Sequence, residues 1–198
     1  MEKNEKPDFE LTEEQGQLLV KLARQSLLER FGRHAELEDL ESRLDDPVFE
    51  RRCGTFVTLT IDGNLRGCIG TLEGYEPLKD GVRRNAVNAA FHDPRFAPLS
   101  VHELDKVRIE VSVLSEPRPL EYKDADDLLR KLRPGIDGVI ISKGRASATF
   151  LPQVWQQLPR PEEFLSHLCM KAGLPADQWR KGDLEVKVYR VQYFEEPH

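Results

Sequence analysis

The chain has 198 residues, 39% of them hydrophobic and 32% charged, with a formal net charge of −6. A chain of this length buries enough apolar surface to fold without disulfides or a structural metal. Its composition is not that of a disordered segment, and its acidic balance offers no global attraction to nucleic acid or an anionic membrane. The cysteines, Cys53, Cys68 and Cys169, are odd in number and widely spaced, which argues against a disulfide framework and for a reducing, cytoplasmic setting.

The first ten residues are charged and lack the apolar core of a signal peptide. No apolar run nears the ~20 residues of a membrane span. We expect residues 1–10 to be a flexible N-terminus ahead of a single domain over about residues 11–194. Cys-x-x-Cys pairs, the Cys-x3-Cys-x2-Cys cluster of radical enzymes, a Walker loop and His-Glu-x-x-His are all missing from the sequence, so no motif implies a metal or cofactor. The glycines of Gly67-Cys68-Ile69-Gly70 lack dinucleotide-binding spacing.

In chain order, residues 12–31 predict an amphipathic helix, capped by Thr12 with Gln15 answering three residues on. It carries Leu18, Leu19, Leu22, Ala23 and Leu27 on one face and ends at Gly32. Residues 33–50 are charged and read as a connection with one helical turn. Residues 54–61 predict a strand, Asp62-Gly63 a hairpin turn, and residues 65–72 the returning strand. Strict alternation there places Leu65, Gly67 and Ile69 on one face and Arg66, Cys68 and Gly70 on the other. Pro77 opens a helix to about residue 91, closed by Asp93-Pro94. Residues 106–114 predict a strand with Val107, Ile109, Val111 and Val113 on one face and Arg108, Glu110 and Ser112 on the other. A short helix at 124–132, a hairpin of 138–141 with 146–151 around Lys143-Gly144, a helix at 161–171 closed by Gly173, and a final strand at 184–194 complete the series. Hairpins interrupted by helices argue for an α+β fold: an antiparallel or mixed sheet flanked by helices. The final strand must pair upstream, so both chain ends are expected to build one lobe.

The concentrated chemistry is Cys68, a strand thiol between two glycines and expected on the same face as Arg66. A guanidinium that close favours thiolate, and Gly67 and Gly70 leave room for a ligand or a second backbone. The competing reading is a small residue packed under a helix, since free cysteines are often buried. His92 and Glu110 are the candidate partners, because a thiol nucleophile needs a base and a base is often oriented by a carboxylate; each also reads as an ordinary surface group. Cys68, His92 and Glu110 carry the ligand types of a zinc or iron site, but not the spacing of a compact motif. Arg95 either binds an anion or holds its turn through Asp93. Phe150 to Trp155 reads as core packing, and Cys169 as core.

The ordered series Asn64-Leu65-Arg66-Gly67-Cys68-Ile69-Gly70-Thr71, Ala89-Ala90, Asp93-Pro94-Arg95-Phe96-Ala97-Pro98-Leu99, Ile109 to Leu114, Gly135-Ile136-Asp137-Gly138-Val139-Ile140 and Thr149 to Trp155 resembles the AMMECR-type domain family. Its prokaryotic members are called AmmeMemoRadiSam system protein A. The resemblance covers nearly all of residues 11–194. It implies two unequal α+β lobes with a cleft between them, the larger built from both chain ends. It also implies association with a MEMO-like protein and a radical SAM protein, and it places the family signature on Leu65 to Gly70. Two functions are therefore expected. One is cysteine-centred chemistry on a small molecule or macromolecule, with Cys68, His92 and Glu110 as candidate catalytic residues and Arg66, Gly67, Gly70 and Arg95 as binding residues. The other is a non-catalytic module that binds protein or, less favoured by charge, nucleic acid.

Overall fold

A computed structural model describes residues 10–33 and 40–197. The terminus expected to be flexible lies, except for Glu10, outside the described residues, as do residues 34–39 of the charged connection. Helix α1 (Glu13–Arg30) begins at the predicted capping box: the Gln15 N–H donates to Thr12 Oγ1 at 3.2 Å, and the Thr12 N–H donates to Gln15 Oε1 at 3.0 Å. The connection after it holds a four-residue helix α2 (Leu40–Arg43) and a 3-10 turn over Pro47–Glu50.

Strands β1 (Thr55–Ile61) and β2 (Asn64–Thr71) form the predicted hairpin. Its turn residues have φ 51° at Asp62 and 78° at Gly63, the left-handed pair that a two-residue turn between twisted strands requires. Helix α3 (Leu78–Phe91), a four-residue helix α4 (Val101–Leu104) and strand β3 (Arg108–Leu114) follow. A two-residue strand β4 (Arg118–Pro119), helix α5 (Ala125–Lys131), strands β5 (Gly138–Lys143) and β6 (Ala146–Phe150), and helix α6 (Pro161–Lys171) come next, and strands β7 (Glu185–Tyr189) and β8 (Val191–Glu195) end the series. The architecture is α+β with two four-stranded sheets, ordered β2-β1-β3-β8 and β4-β7-β5-β6. Among the described residues no helix is long and apolar enough to cross a membrane.

The described chain divides into two compact units. The first takes in residues up to Ser115 and again from Gln192. Its core sets Leu19, Leu22 and Leu27 of α1 and Val82, Ala86 and Ala89 of α3 against Val57, Leu59, Ile109 and Val111 of the sheet. The alanines on α3 let its backbone lie close to β2. Gln192 fastens the two chain ends together, accepting from the Leu11 N–H at 2.9 Å and donating to the Leu11 carbonyl at 3.0 Å. Arg24 adds a second tie: it pairs with Glu196 at 2.6 Å and donates to the carbonyls of Leu104 and Val107.

The second unit is Glu116–Val191. Its core centres on Trp155, stacked on Phe164 at 3.7 Å, with Phe150 edge-on to Phe164 at 5.3 Å. Packing is therefore what the Phe150 to Trp155 run does. Arg133 brackets Asp137, whose carbonyl accepts the Trp155 indole N–H at 2.7 Å. Gly138 is glycine because a Cβ there would enter the Tyr189 ring.

Two expectations need correction. The single strand predicted over residues 184–194 is two strands in two different sheets, changing over at Arg190. Val186, Val188 and Phe194 keep one period-2 phase across the change, although the two valines pack in the second core and Phe194 in the first. The second correction is in β2. Leu59 pairs with Gly67 and Thr60 with Leu65, so Arg66 has no cross-strand partner and is the extra residue of a β-bulge. The predicted alternation fails there: Leu65, expected to share a face with Gly67 and Ile69, pairs with Thr60 on the other face and is 43% exposed.

Candidate functional site

The signature segment lies on β2, an edge strand. Its outer side is fastened by the turn after α3. The Cys68 N–H donates to Asp93 Oδ2 at 2.9 Å, and Arg95 Nη2 donates to the Cys68 carbonyl at 3.4 Å. Arg95 is itself bound to Asp93 through Nε at 3.0 Å and Nη2 at 2.7 Å, while the Arg95 N–H reaches Asp93 Oδ1 at 3.0 Å. The pair thus does for Cys68 what a neighbouring strand would do, and it closes the sheet edge at that point. The Asp93 side chain is only 2% exposed. Its carboxyl is held well below the usual carboxylate range, chiefly by the Arg95 guanidinium, with the Cys68 and Arg95 N–H groups adding and burial opposing.

The bulge takes Arg66 out of the strand's alternation, and its guanidinium binds Glu103 of α4. Nε donates to Glu103 Oε1 at 2.8 Å, and Nη2 donates to Glu103 Oε2 at 3.2 Å and to the Ala97 carbonyl at 2.9 Å. Glu103 also turns back on Ser100, accepting from its N–H at 2.9 Å. Arg66 first, and then the Ser100 N–H, bring the Glu103 carboxyl down to about 2. Arg66 and Arg95 both lie over the Phe96 ring, at 5.8 and 5.5 Å from its centroid. Sequence reasoning missed Glu103, yet Ser100-x-x-Glu103 is a capping-box pattern.

The close approaches expected beside the two glycines are made by the protein itself. A Cβ on Gly67 would strike the Ala89 carbonyl of α3, and one on Gly70 would strike the Phe56 ring and the Thr55 carbonyl. What remains of the segment is the thiol. Cys68 is half-buried and shares a sheet face with Thr58 and Glu110, because Thr58 is the register partner of Cys68 on one side and of Glu110 on the other. The Thr58 hydroxyl donates to Cys68 Sγ at 3.3 Å. Glu110 therefore stands two strands from Cys68, roughly 9.5 Å at the backbone. Its carboxyl is raised, first by burial and then by the neighbouring Glu195. Thr58 was also missed: in sequence it is one more β-branched strand residue.

His92 is not brought to this row. It is exposed at the end of α3, with Nδ1 3.0 Å from Asn88 Oδ1. Among the described residues no three His, Cys, Asp or Glu side chains gather as metal ligands would, so Cys68, His92 and Glu110 do not form such a set. The other two thiols lie apart from this row. Burial pushes Cys53 up to about 11 and also raises Cys169, which is fully buried. Brief treatment with iodoacetamide at about pH 8, near an ordinary thiol's ionisation, is expected to label Cys68 ahead of both. Mass spectrometry of the three cysteine peptides measures the order.

The chain is similar over nearly its whole length to proteins from archaea. The family model described as AMMECR1 matches residues 20–194. A protein of Methanothermobacter thermautotrophicus is 44% identical, the match covering 92% of this chain and 93% of that one. One from Thermofilum pendens is 40% identical, over 94% and 92%. The crystal structure of an uncharacterised protein from Pyrococcus horikoshii has a TM-score of 0.77 at 37% identity, covering 96% of this chain and 95% of that chain.

Proposed function

Because the chain belongs to the AMMECR1 family, we propose that its signature segment serves to present one thiol, Cys68, as the group that meets a substrate or partner. The supporting observation is what the rest of the segment does. Arg66 holds α4, Gly67 receives α3, Gly70 lies under Phe56, and the Cys68 backbone is clamped by Asp93 and Arg95. The thiol faces the same side of the sheet as Thr58 and Glu110, with the Thr58 hydroxyl donating to it. Following the family resemblance, its partners are a MEMO-like protein and a radical SAM protein, met in the cytoplasm, where free cysteines persist. The second reading is a non-catalytic binding module. The rigid fastening of β2 favours it, as does the distance of His92 and Glu110 from direct contact with sulfur.

Cys68→Ser and Cys68→Ala separate the two. Each variant is tested for co-purification with the tagged partners and for rescue of a strain lacking the gene. The proposal expects both variants to keep their partners and neither to rescue. Rescue by both would make the thiol structural and leave the binding module standing.

A further inference from the structure

Three side chains from three adjacent strands form one cross-strand row: Cys68 on β2, Thr58 on β1 and Glu110 on β3. Directly paired residues on one face bring their Cβ atoms to about 5 Å, so Thr58 stands between Cys68 and Glu110; the Glu110 carboxyl lies against Ser112 and Glu195 and reaches Thr58 by turning about its own side-chain bonds. Here the Thr58 hydroxyl already bonds to the sulfur at 3.3 Å. A hydroxyl is donor and acceptor at once and rotates to suit. A valine, equal in shape and better suited to a strand, would leave the sulfur without this donor.

We propose that Thr58 is a proton relay joining the Cys68 thiol to the Glu110 carboxylate. The inference rests on Cys68 being the acting group. In the step, the S–H bond breaks as its proton passes to Thr58 Oγ1, and the Thr58 O–H bond breaks as its proton passes to Glu110. The products are a thiolate and a carboxylic acid; no electron is transferred and no co-reactant is needed. The thiolate then forms a C–S bond to an acyl or alkyl carbon as that carbon's bond to its leaving group breaks, and the proton held on Glu110 returns through Thr58 to the departing group. Glu110 suits the task because burial and Glu195 raise it above an ordinary carboxylate, making it a stronger base near neutrality. The groups facing it are Glu195 from β8 and Ser112 from its own strand. At the other end of the row Asp93 and Arg95, already paired to each other, flank the Cys68 backbone.

The test is the rate of Cys68 alkylation by iodoacetamide from about pH 5 to pH 10, read on the Cys68 peptide in the full chain. Glu110 accepts a proton only when ionised, so the wild-type rate should fall as pH drops through its titration. Thr58→Val and Glu110→Gln should each slow the reaction at least about tenfold at pH 7. Both should approach wild type near pH 10, above an ordinary thiol's ionisation. Thr58→Ser should stay within about twofold of wild type, because it keeps the hydroxyl. Glu195→Gln should move the acidic limb to lower pH without removing it. An unchanged profile in Thr58→Val, with Cys68 still reactive, overturns the relay alone. Failure of Cys68 to label in the wild type overturns the proposed function with it.

Discussion

Asp93→Ala is expected to destabilise the protein by about 2–4 kcal/mol, and Asp93→Asn by less. The side chain accepts from the Cys68 N–H, the Arg95 N–H and two nitrogens of the Arg95 guanidinium while almost wholly buried. Removing it orphans the Cys68 N–H, a loss of about 1–3 kcal/mol, and deletes charge-assisted bonds worth more than neutral ones. Arg95 is 55% exposed and regains water, which keeps the total below the full cost of breaking a buried ion pair. For a chain of this size each kcal/mol is about 2–4 °C, so the melting temperature should drop by about 5–15 °C. The pH dependence has a definite sign. A carboxyl depressed in the folded state contributes stability fully above its unfolded pKa of about 3.9 and loses it as pH falls toward the folded value. The gap between wild type and Asp93→Asn should therefore be widest near neutrality and close at strongly acid pH. Melts at several pH values measure it; a constant gap would contradict the assigned cause.

Local signals were legible in the sequence and long-range ones were not. The Thr12–Gln15 box, the Asp62-Gly63 turn and the Gly173 stop are each decided within four residues, and each is in place. The bulge at Arg66 is a relation between two strands and leaves no mark on either, so the strict alternation of β2 misplaced Leu65 and Arg66. The change of sheet at Arg190 is silent because the hydrophobic phase runs through it unbroken. Helix α4 is too short for a periodic signal, although its capping box was there to read. In the candidate site, Cys68 and Glu110 were visible as chemistry-bearing types on opposed strands. Thr58, which stands between them, carries no such mark; only the register of β1 against both neighbours places it there. Asp93 was visible as a turn residue, but its hold on the Cys68 N–H spans 25 residues.

Gly67→Ala should be among the most damaging single methyls in the first unit. Gly67 has an ordinary strand conformation, so the backbone would tolerate alanine. The obstacle is the Ala89 carbonyl of α3, which occupies the place of the new Cβ. Neither partner is a flexible side chain: one is a strand in a hydrogen-bonded hairpin, the other a helix backbone held against the core by Val82, Ala86 and Ala89. Overpacking of side chains costs about 1–3 kcal/mol, and a clash of backbone with backbone should exceed about 3. Gly144→Ala makes the contrast. That glycine has φ 59° and open space around it, so its cost is conformational alone, about 1–2 kcal/mol. Both tryptophans lie in the core of the second unit, which makes fluorescence the wrong probe for Gly67→Ala; hydrogen exchange at the β2 amides is the right one. A Gly67→Ala protein as protected there as wild type would overturn the packing argument. The variant also sharpens the thiol experiments. Loosening β2 from α3 should speed Cys68 labelling at every pH by exposing it, whereas Thr58→Val and Glu110→Gln should slow it only below the thiol's own ionisation. A rate that rises in the first and falls in the other two separates access to the sulfur from its activation.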